Sequence, residues 1–426
     1  MATTAVTPTT PTPPTAPAPA SQSRSQRTDL SNIYKPVGPK IIQTGLNASP
    51  GQVIQLSQVT DLSLPIRGIR IVYKGRCVVG TAGMASTTPE GFLNMLSNIT
   101  IQGTNARQKG NVTLWSIDLA TLYGILHCIS GSKAAYYSIN NQGAQGEVLL
   151  DTPTTPFSLA LAVNNTYNPT GATGTYDYRI VIDIPFHPFA LQAFGEHPHW
   201  VPGFLVRNEE WKDSLQEAFT FVASPGGAVA GPLGTGGATT TLTFTAYGSG
   251  AGNPTLDVYS LPIEMGLALK DQVYPGILSR VTTAINTILQ AAGNGVTLVN
   301  MQKQPTPRVF IKVGTGTAPP AMATLSDTNV TAIGILLGAN RNVRNVVDWF
   351  SHKGMFYDTY QRQAIQGYLD LDFMDSADPD SSYPGQNIGD GSTFQLTANV
   401  AGVANGQGII VQEQILHTPT GPLYTY

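Results

Sequence analysis

The sequence predicts an all-β protein built from antiparallel β sandwiches, with a few short helices between the strands. Three observations support this fold class: short segments of alternating apolar and polar residues, turn-forming residues between them, and an order of strands and helices that occurs twice. The chain has 426 residues, of which 44 are Gly and 31 are Pro. A chain of this length exceeds what one hydrophobic core usually serves, so two domains are expected.

Residues 1–39 predict an extended N-terminal arm rather than a folded domain. The segment is dominated by Thr, Pro, Ala and Ser, and Asp29 is its first acidic residue. Proline removes backbone donors and favours polyproline conformation, so this composition cannot build a core. Two interpretations stay open: a disordered tail, and a tether that becomes ordered against a neighbouring subunit or surface.

Alternating segments begin near residue 40 and predict strands that face a core on one side. In YRIVIDIPF, one face carries the apolar row Ile180, Ile182, Ile184 and Phe186. Similar alternation occurs in RGIRIVYKG, NITIQG, TTTLTFTAY, RVFIKVG and STFQLTANV. β-Branched residues suit such half-buried pleated surfaces. The turn segments ASPGG, YGSGAGNP and DPDSSYPG separate them.

Three segments carry apolar residues at helical spacing and predict helices that pack on the core. The segments and their stripes are VTLWSIDLATLYGIL with Trp115, Leu119, Leu122 and Leu126; GILSRVTTAINTILQ with Ile277, Val281, Ile285 and Ile288 or Leu289; and RNVRNVVDWFSHKG with Val343, Val346, Val347 and Phe350. We interpret all three as packing faces rather than cofactor sites.

The order of strands, helix and further strands occurs in about residues 45–262 and again in about residues 293–420, without repeated sequence. We place the boundary within EMGLALKDQVYPGILSR, where a strand-like run ends and a helix is expected to begin. The predicted organisation is an arm at 1–39, a first sandwich at 40–265 and a second sandwich at 266–426.

Charge composition argues against a nucleic-acid-binding protein. The chain has 23 Lys and Arg against 26 Asp and Glu, so it lacks the basic excess that phosphate backbones require. Charged residues make up 12% of the chain, which is about half the usual fraction. Because burying charge at an interface is costly, such a surface is typical of proteins whose exterior is covered by neighbouring copies.

Cysteine usage indicates a reducing compartment. Cys77 and Cys128 lie far apart in apolar surroundings, and no CxxC pair occurs. We predict two buried free thiols rather than a disulfide or a zinc site. The sequence also shows neither a long uncharged apolar stretch nor the order of a signal peptide, which predicts a protein made and kept in the cytosol.

The segment FGEHPHWVPGF, residues 194–204, is the strongest candidate for a metal site. Glu196, His197 and His199 lie within four positions, and both imidazoles could face one side of an extended segment. However, the other histidines are scattered, and no HExxH or CxxC context supplies a third ligand. We therefore favour a polar connection whose imidazoles cap backbone groups or contact a neighbour.

A second candidate is the acidic stretch YLDLDFMDSADPDSSYPG. Asp370 and Asp372 alternate with apolar residues as on the outward face of a strand, and Asp375, Asp378 and Asp380 follow in a turn. The spacing lacks the glycine and glutamate of a calcium loop, so solvated turn acids are favoured over a loose calcium site. Paired carboxylates for glycoside hydrolysis stay open from spacing alone.

One glycine-rich segment also fails as a ligand site. GGAVAGPLGTGG, residues 226–237, lacks the lysine and the following helix that hold phosphate, so it is interpreted as a flexible loop. We predict no catalytic, cofactor-binding or metal-binding residues.

Several segments resemble the double jelly-roll major capsid proteins of tailless, membrane-containing icosahedral bacteriophages, relatives in fold of the adenovirus hexon. VTDLSLPIRGIRIVYKG resembles the opening strands of the first barrel, and FLNMLSNITIQGTNARQKGNVTLWSIDLATL the strand, turn and helix that follow. YDYRIVIDIPFHPFALQAFG is similar to a later strand of that barrel. TYQRQAIQGYLDLDFMD, STFQLTANVAG and GIIVQEQILHTPTG resemble the closing strands of the second barrel. The resemblance covers about residues 40–420 and rests on the order of the segments and their residue patterns, not on a diagnostic motif.

The resemblance implies two consecutive eight-stranded antiparallel jelly rolls and a structural role without enzymatic activity or cofactors. It implies homotrimers that form pseudo-hexagonal capsomers of an icosahedral shell, in contact with neighbouring capsomers and other capsid proteins. The protein would be found in the virion, and in host cytoplasm during assembly, without direct specific binding of nucleic acid.

The sequence leaves the role of the N-terminal region and the choice between three protein classes open. Family members often begin with a helix that meets the membrane, whereas a Pro/Thr arm occupies that end here, so the N-terminal region could contact the internal viral membrane or a neighbouring capsomer. The alternatives to a capsid protein are a β-sandwich adhesin or spike that binds host-surface carbohydrate, and a β-sandwich hydrolase.

Overall fold

The computed structural model describes most of the two predicted sandwiches. The described residues are 34–36, 38–56, 64, 66–81, 83–88, 90–105, 110–130, 135–141, 174–185, 215–222, 230–231, 233–236, 239–265, 278–286, 289–300, 306, 308–316, 322–337, 341–360, 364–372 and 394–416.

The strands of the first half are β1 (Tyr34–Pro36), β2 (Lys40–Asn47), β3 (Val53–Gln55), β4 (Ile66–Gly80), β5 (Met84–Thr87), β6 (Leu96–Asn105), β7 (Gly110–Ile117), β8 (Ala135–Asn141), β9 (Gly174–Pro185), β10 (Gln216–Phe221), β11 (Ala230–Gly231), β12 (Gly234–Gly236), β13 (Thr241–Thr245) and β14 (Thr255–Met265). Those of the second half are β15 (Leu278–Asn286), β16 (Gly293–Asn300), β17 (Arg308–Thr315), β18 (Thr324–Leu325), β19 (Val330–Leu337), β20 (Arg341–Asp348), β21 (Tyr368–Asp372), β22 (Phe394–Val400) and β23 (Gly406–Leu416). The helices are a short 3₁₀ helix (Gly91–Met95), α1 (Leu119–Ser130) and α2 (Trp349–Tyr360).

The first sandwich is built on two sets of four antiparallel strands. One set has the order β2-β14-β4-β9, and we call it sheet I; β1, β8 and β13 pair with its strands and extend it to seven. The other has the order β3-β10-β6-β7. When these eight strands are numbered along the chain, the two orders are 1-8-3-6 and 2-7-4-5. Such an arrangement interleaves early and late strands, as two Greek keys do in a jelly roll.

The second sandwich repeats this strand order. Its sheets are β15-β23-β17-β21, which we call sheet II, and β16-β22-β19-β20. Numbered along the chain, these strands again give 1-8-3-6 and 2-7-4-5. The predicted fold class is confirmed, since the chain is mostly β with several antiparallel sheets and few helices.

Two of the three predicted helices begin later than the apolar stripes suggest. VTLWSI and RNVRNVVD lie in strands, and the aspartate directly before each following helix, Asp118 or Asp348, caps that helix. The Asp118 carboxylate accepts a hydrogen bond from the Thr121 backbone N–H at 2.8 Å, and Asp348 accepts one from Ser351 at 3.0 Å. Trp115 therefore lies on β7, and the β-branched residues before each aspartate favour the strand.

The third predicted helix, in GILSRVTTAINTILQ, is wrong. Residues Leu278–Asn286 form strand β15, which pairs antiparallel with β23 along its whole length. The segment is rich in threonine, valine and isoleucine, so partners on both sides override its weak helical periodicity. The boundary segment therefore leads from one strand into another strand.

The described part of the glycine-rich segment that was predicted as a flexible loop contains two short strands. Its strands β11 and β12 form a small antiparallel sheet with β5. At the other end of the first half, Tyr34–Pro36, at the base of the predicted arm, pair with β14 as strand β1.

Two hydrophobic cores fill the sandwiches. The larger core contains the alternating side chains of sheet I, including Ile180, Ile182 and Ile184, together with those of α1. The smaller core lies between sheet II and its partner sheet. Phe186 lies outside the described residues. Cys77 is buried and free, which confirms that prediction, and burial raises the pKa of its thiol; the side chain of Cys128 lies outside the described part.

Two turn glycines allow a matched test of the second sandwich. Gly295 and Gly367 both have positive φ, at 65° and 75°. A Cβ at Gly295 would meet nothing within 4 Å, whereas one at Gly367 would lie 2.5 Å from the Val313 carbonyl oxygen.

We expect Gly295→Ala to lower the free energy of unfolding by about 1–2 kcal/mol, the cost of left-handed backbone alone. Gly367→Ala should cost at least about 3 kcal/mol, because strain and overpacking add. Urea denaturation of both variants measures this difference. Equal losses would show that the turn at Gly367 is not packed against β17.

Candidate functional site at the junction of the two sandwiches

The metal candidates named from the sequence lie outside the described residues. They are Glu196, His197, His199, Asp375, Asp378 and Asp380. Within the described ranges, no group of three or more His, Cys, Asp or Glu side chains could hold a metal ion. The helices in that part of the chain are too short or too polar to cross a membrane.

The most unusual described feature is sheet II, because it is buried on both faces. On β17, Val309, Ile311 and Val313 point into the smaller core. The opposite face carries Phe310 and Lys312, and both side chains are fully buried. The prediction that RVFIKVG faces a core on one side only is therefore wrong: its second face packs against the first sandwich.

A buried ion pair lies at the centre of this contact. Lys312 Nζ, from the second sandwich, lies 2.5 Å from Glu90 Oε1 and 2.6 Å from Glu90 Oε2 of the first. The Tyr368 hydroxyl donates to Glu90 Oε1 at 2.6 Å. All three side chains have no solvent exposure. Glu90 thus receives donors from two strands of sheet II, which ties the two halves together.

Burial of the Glu90 carboxyl raises its pKa above the ordinary value of 4.5, since the charged form loses hydration. Lys312 and Tyr368 act in the opposite direction, and the nearby Asp118 carboxylate raises the pKa further. One oxygen of Asp118 is itself buried without a hydrogen bond. The junction therefore holds two carboxylates near one lysine, and it depends on that lysine for its charge balance.

Apolar contacts surround the ion pair and fix its position. A Cβ at Gly124 of α1 would lie 2.5 Å from the Tyr368 ring, so the glycine allows helix and ring to approach closely. Phe310 packs on the same ring with centroids 5.4 Å apart. Ile409 and Val411 of β23 also join the larger core. Helix α1 of the first sandwich therefore packs on the outer face of sheet II.

Further charged side chains line the same face of sheet II. Arg308 and Asp370 are nearly fully buried and lie 3.6 Å apart, and Glu413 is buried on the adjacent strand β23. The sequence prediction that Asp370 lies on an outward strand face is wrong, because its side chain is only 1% exposed and lies beside Arg308. Buried charges of this kind need partners, so they specify one docking geometry.

A short backbone connection complements the side-chain contact. Strands β7 and β15 pair in parallel through Val281 with Trp115 and Thr282 with Ser116. This pairing joins the β3-β10-β6-β7 sheet of the first sandwich to sheet II. The chain thus forms one continuous sheet across both sandwiches.

The outer face of sheet I differs from that of sheet II. It carries a row of ion pairs: Arg70 with Asp183 at 2.6 Å, Lys74 with Asp257 at 2.9 Å, and Arg76 with Asp177 at 2.6 Å. Arg70 and Lys74 keep about a third of their side-chain surface exposed. The outer face of sheet I is therefore more exposed to solvent than the outer face of sheet II.

The sequence analysis missed the residues of the junction. The one available signal was Lys312, a charged residue in the middle of the apolar strand RVFIKVG. Its partner Glu90 lies 222 positions earlier in the chain, next to a different apolar segment. Residue spacing alone could therefore not show that Lys312 and Glu90 are in contact. The cluster is sealed from solvent, which suits a structural lock and leaves no access for a substrate.

Comparison with known proteins adds information on the fold. No family model matches the sequence, and no curated protein matches it. Among solved structures, PBCV-1 VP54, in a crystal structure fitted into a cryo-EM reconstruction of the virophage Sputnik, matches with a TM-score of 0.51 and 10% identity, covering 92% of this chain and 97% of that chain.

The fold is a double jelly roll. The STIV major capsid protein matches with a TM-score of 0.49 and 13% identity, covering 91% of this chain and 97% of that chain. The major capsid protein P2 of bacteriophage PM2 matches with a TM-score of 0.47 and 9% identity, covering 90% and 97%. At these identities the likeness concerns the fold, and the VP54 match carries that conclusion.

The contribution of the buried ion pair to stability can be compared with that of a partly exposed ion pair. We expect Lys312→Met to lower the free energy of unfolding by about 3–5 kcal/mol, because it leaves Glu90 buried without its cation. Arg70→Met is the control: the pair with Asp183 is equally short but partly exposed, and such pairs contribute about 0–1 kcal/mol. The double variant Lys312→Met/Glu90→Gln should recover much of the loss. Equal losses of unfolding free energy for Lys312→Met and Arg70→Met in urea denaturation would contradict a buried, stabilising ion pair between Lys312 and Glu90.

The raised pKa of Glu90 predicts a pH dependence in the Lys312→Met background. Below 4.5 the carboxyl is neutral in both folded and unfolded chains, and its contribution to stability is fully present. This contribution is lost as pH rises through the raised folded pKa. The Tm of Lys312→Met should therefore fall, relative to Lys312→Met/Glu90→Gln, between about pH 5 and pH 8. A Tm difference that is constant over this range would show that Glu90 is not desolvated.

Proposed function

We propose that this protein is the major capsid protein of a virus, a structural subunit without enzymatic activity. The observation that carries the proposal is the double jelly-roll fold, which it shares with VP54, a structure fitted into a cryo-EM reconstruction of a virophage. The solved structures that it resembles are viral major capsid proteins. The sealing of the Glu90, Lys312 and Tyr368 cluster from solvent supports a structural role for these residues.

We further propose that three copies form a pseudo-hexagonal capsomer. Each chain contributes two sandwiches of the same strand order, so three chains supply six similar lobes, and a threefold molecule can occupy a sixfold position in a shell. For this to work, the two sandwiches of a chain must keep a fixed relation. The ion pair Lys312–Glu90 and the pairing of β7 with β15 support such rigidity.

The remaining parts of the proposal concern location and partners. The protein would reside in the virion, after assembly in host cytoplasm, and contact neighbouring capsomers and other capsid proteins. The domain division at residues 265 and 266 belongs to the same proposal. Residues 1–33 lie outside the described part, and we propose that they contact a neighbouring capsomer or the internal membrane.

The trimer is tested by light scattering of the full-length chain after size exclusion. We expect three times the monomer mass at micromolar concentration, because large interfaces between weakly charged surfaces hold obligate oligomers. Electron microscopy of the same sample should show particles with threefold symmetry and six lobes. A chain that stays monomeric at this concentration would contradict the proposed capsomer.

A further inference from the structure

The contact between Lys312 and Glu90 differs from other lysine contacts in its complete burial. Lys74 and Lys353 also pair with carboxylates, but their side chains stay 35% and 13% exposed. Lys312 and Glu90 both have no exposed side-chain surface. Charged groups that lose their hydration are destabilised relative to their neutral forms, so this pair is under pressure to lose its charges.

The geometry of the pair brings a nucleophile onto an electrophilic carbon. Lys312 Nζ lies 2.5 Å from Glu90 Oε1 and 2.6 Å from Glu90 Oε2. An atom so close to both oxygens is about 3 Å from the carbon between them, which is the separation of reacting atoms in a near-attack arrangement. A lysine amine attacks carbonyl carbon once it is uncharged. The pair is therefore arranged for a reaction as well as for electrostatic attraction.

Tyr368 supplies a hydrogen-bond donor to the same carboxyl group. Its hydroxyl donates to Glu90 Oε1 at 2.6 Å, and Phe310 and Gly124 hold its ring in place. A donor fixed on a carbonyl oxygen stabilises the negative charge that develops there when a nucleophile adds. Tyr368 thus occupies the position of an oxyanion donor.

Asp118 supplies a second carboxylate close to the pair. Its Oδ1 accepts a hydrogen bond from the Thr121 backbone N–H at 2.8 Å, which fixes the side chain. Its Oδ2 is buried and has no hydrogen-bond partner among the described residues. Asp118 is close enough to Glu90 to raise the pKa of that carboxyl. Such an oxygen can accept a proton and return it within a site closed to solvent.

We propose that Lys312 and Glu90 condense after folding to form an amide bond that covalently joins the two sandwiches. The ion pair is the state that folding creates, and the amide is the product that forms from it. The bond links positions 222 residues apart and removes two buried charges. The proposal goes beyond the proposed function and does not depend on it, because the bond lies within one chain.

The reaction consumes no reagent and releases one water molecule. A proton passes from the Lys312 ammonium to Glu90 Oε2, which leaves a neutral amine and a neutral acid. Nζ then attacks Cδ, the carbonyl electron pair moves onto Oε1 beside the Tyr368 hydroxyl, and Asp118 accepts a proton from Nζ. The carbonyl re-forms as the Cδ–Oε2 bond breaks, and Asp118 returns the proton to the leaving hydroxide. One C–N bond forms, one C–O bond breaks, and Asp118 regains its charge.

Mass spectrometry of the purified full-length chain tests the bond directly. We expect the intact mass to be lower by one water molecule than the mass of the unlinked chain. Trypsin cannot cleave after an acylated lysine, so the digest should contain one branched peptide that joins residues 77–107 to residues 309–341. Fragmentation of this peptide should place the link between Glu90 and Lys312.

Four variants separate the roles of the residues. Lys312→Arg keeps the positive charge but has no nucleophilic amine, so it should retain the full mass. Lys353→Arg is the matched control and should lose water like the wild type. Tyr368→Phe and Asp118→Asn should each lower the rate of water loss by at least about tenfold, measured as the linked fraction after equal times in the folded state.

The wild-type measurement decides the proposal even if a variant does not fold. A folded wild-type chain that keeps its full mass during prolonged incubation, with the two tryptic peptides separate, would overturn it. A loss of water that persists in Lys312→Arg would belong to another group, such as an aspartate succinimide, and would also overturn it. Either result would leave the ion pair, the fold and the proposed capsid role unchanged.

Discussion

The contact between helix α1 and the outer face of sheet II determines the form of the whole molecule. A jelly roll normally buries one face of each sheet, yet sheet II buries both. Its second face carries Lys312 and Tyr368, which would be costly to bury without the carboxylate of Glu90. The two sandwiches are therefore not independent domains on a linker, because each completes the other's surface.

In the proposed capsomer, this dependence has a clear use. Each chain would supply two lobes of the same strand order, and lobes form a regular ring only if their relation is fixed. The buried charges favour one relation, since displacement of either sandwich would leave Lys312 or Glu90 without a partner while sealed from solvent. The parallel pair of β7 and β15 adds a backbone constraint at the same place.

The sequence predicted the strands well and the helices poorly, for physical reasons that particular residues show. Ile180, Ile182 and Ile184 alternate on a sheet with one buried face, so periodicity reported their burial correctly. In β15 and β7, helical spacing of apolar residues arose by chance within β-branched segments, and pairing with distant strands decided the outcome. The aspartates at 118 and 348 were local signals of the true helix starts. The junction could not be predicted, because Glu90 and Lys312 meet only through tertiary structure.

The most direct test is a cryo-EM reconstruction of the purified oligomer at side-chain resolution. The account predicts six lobes in a ring, with the Lys312 side chain in contact with the Glu90 side chain and helix α1 packed on sheet II inside each chain. A map in which the two sandwiches of a chain lie apart, with Lys312 facing solvent, would contradict it.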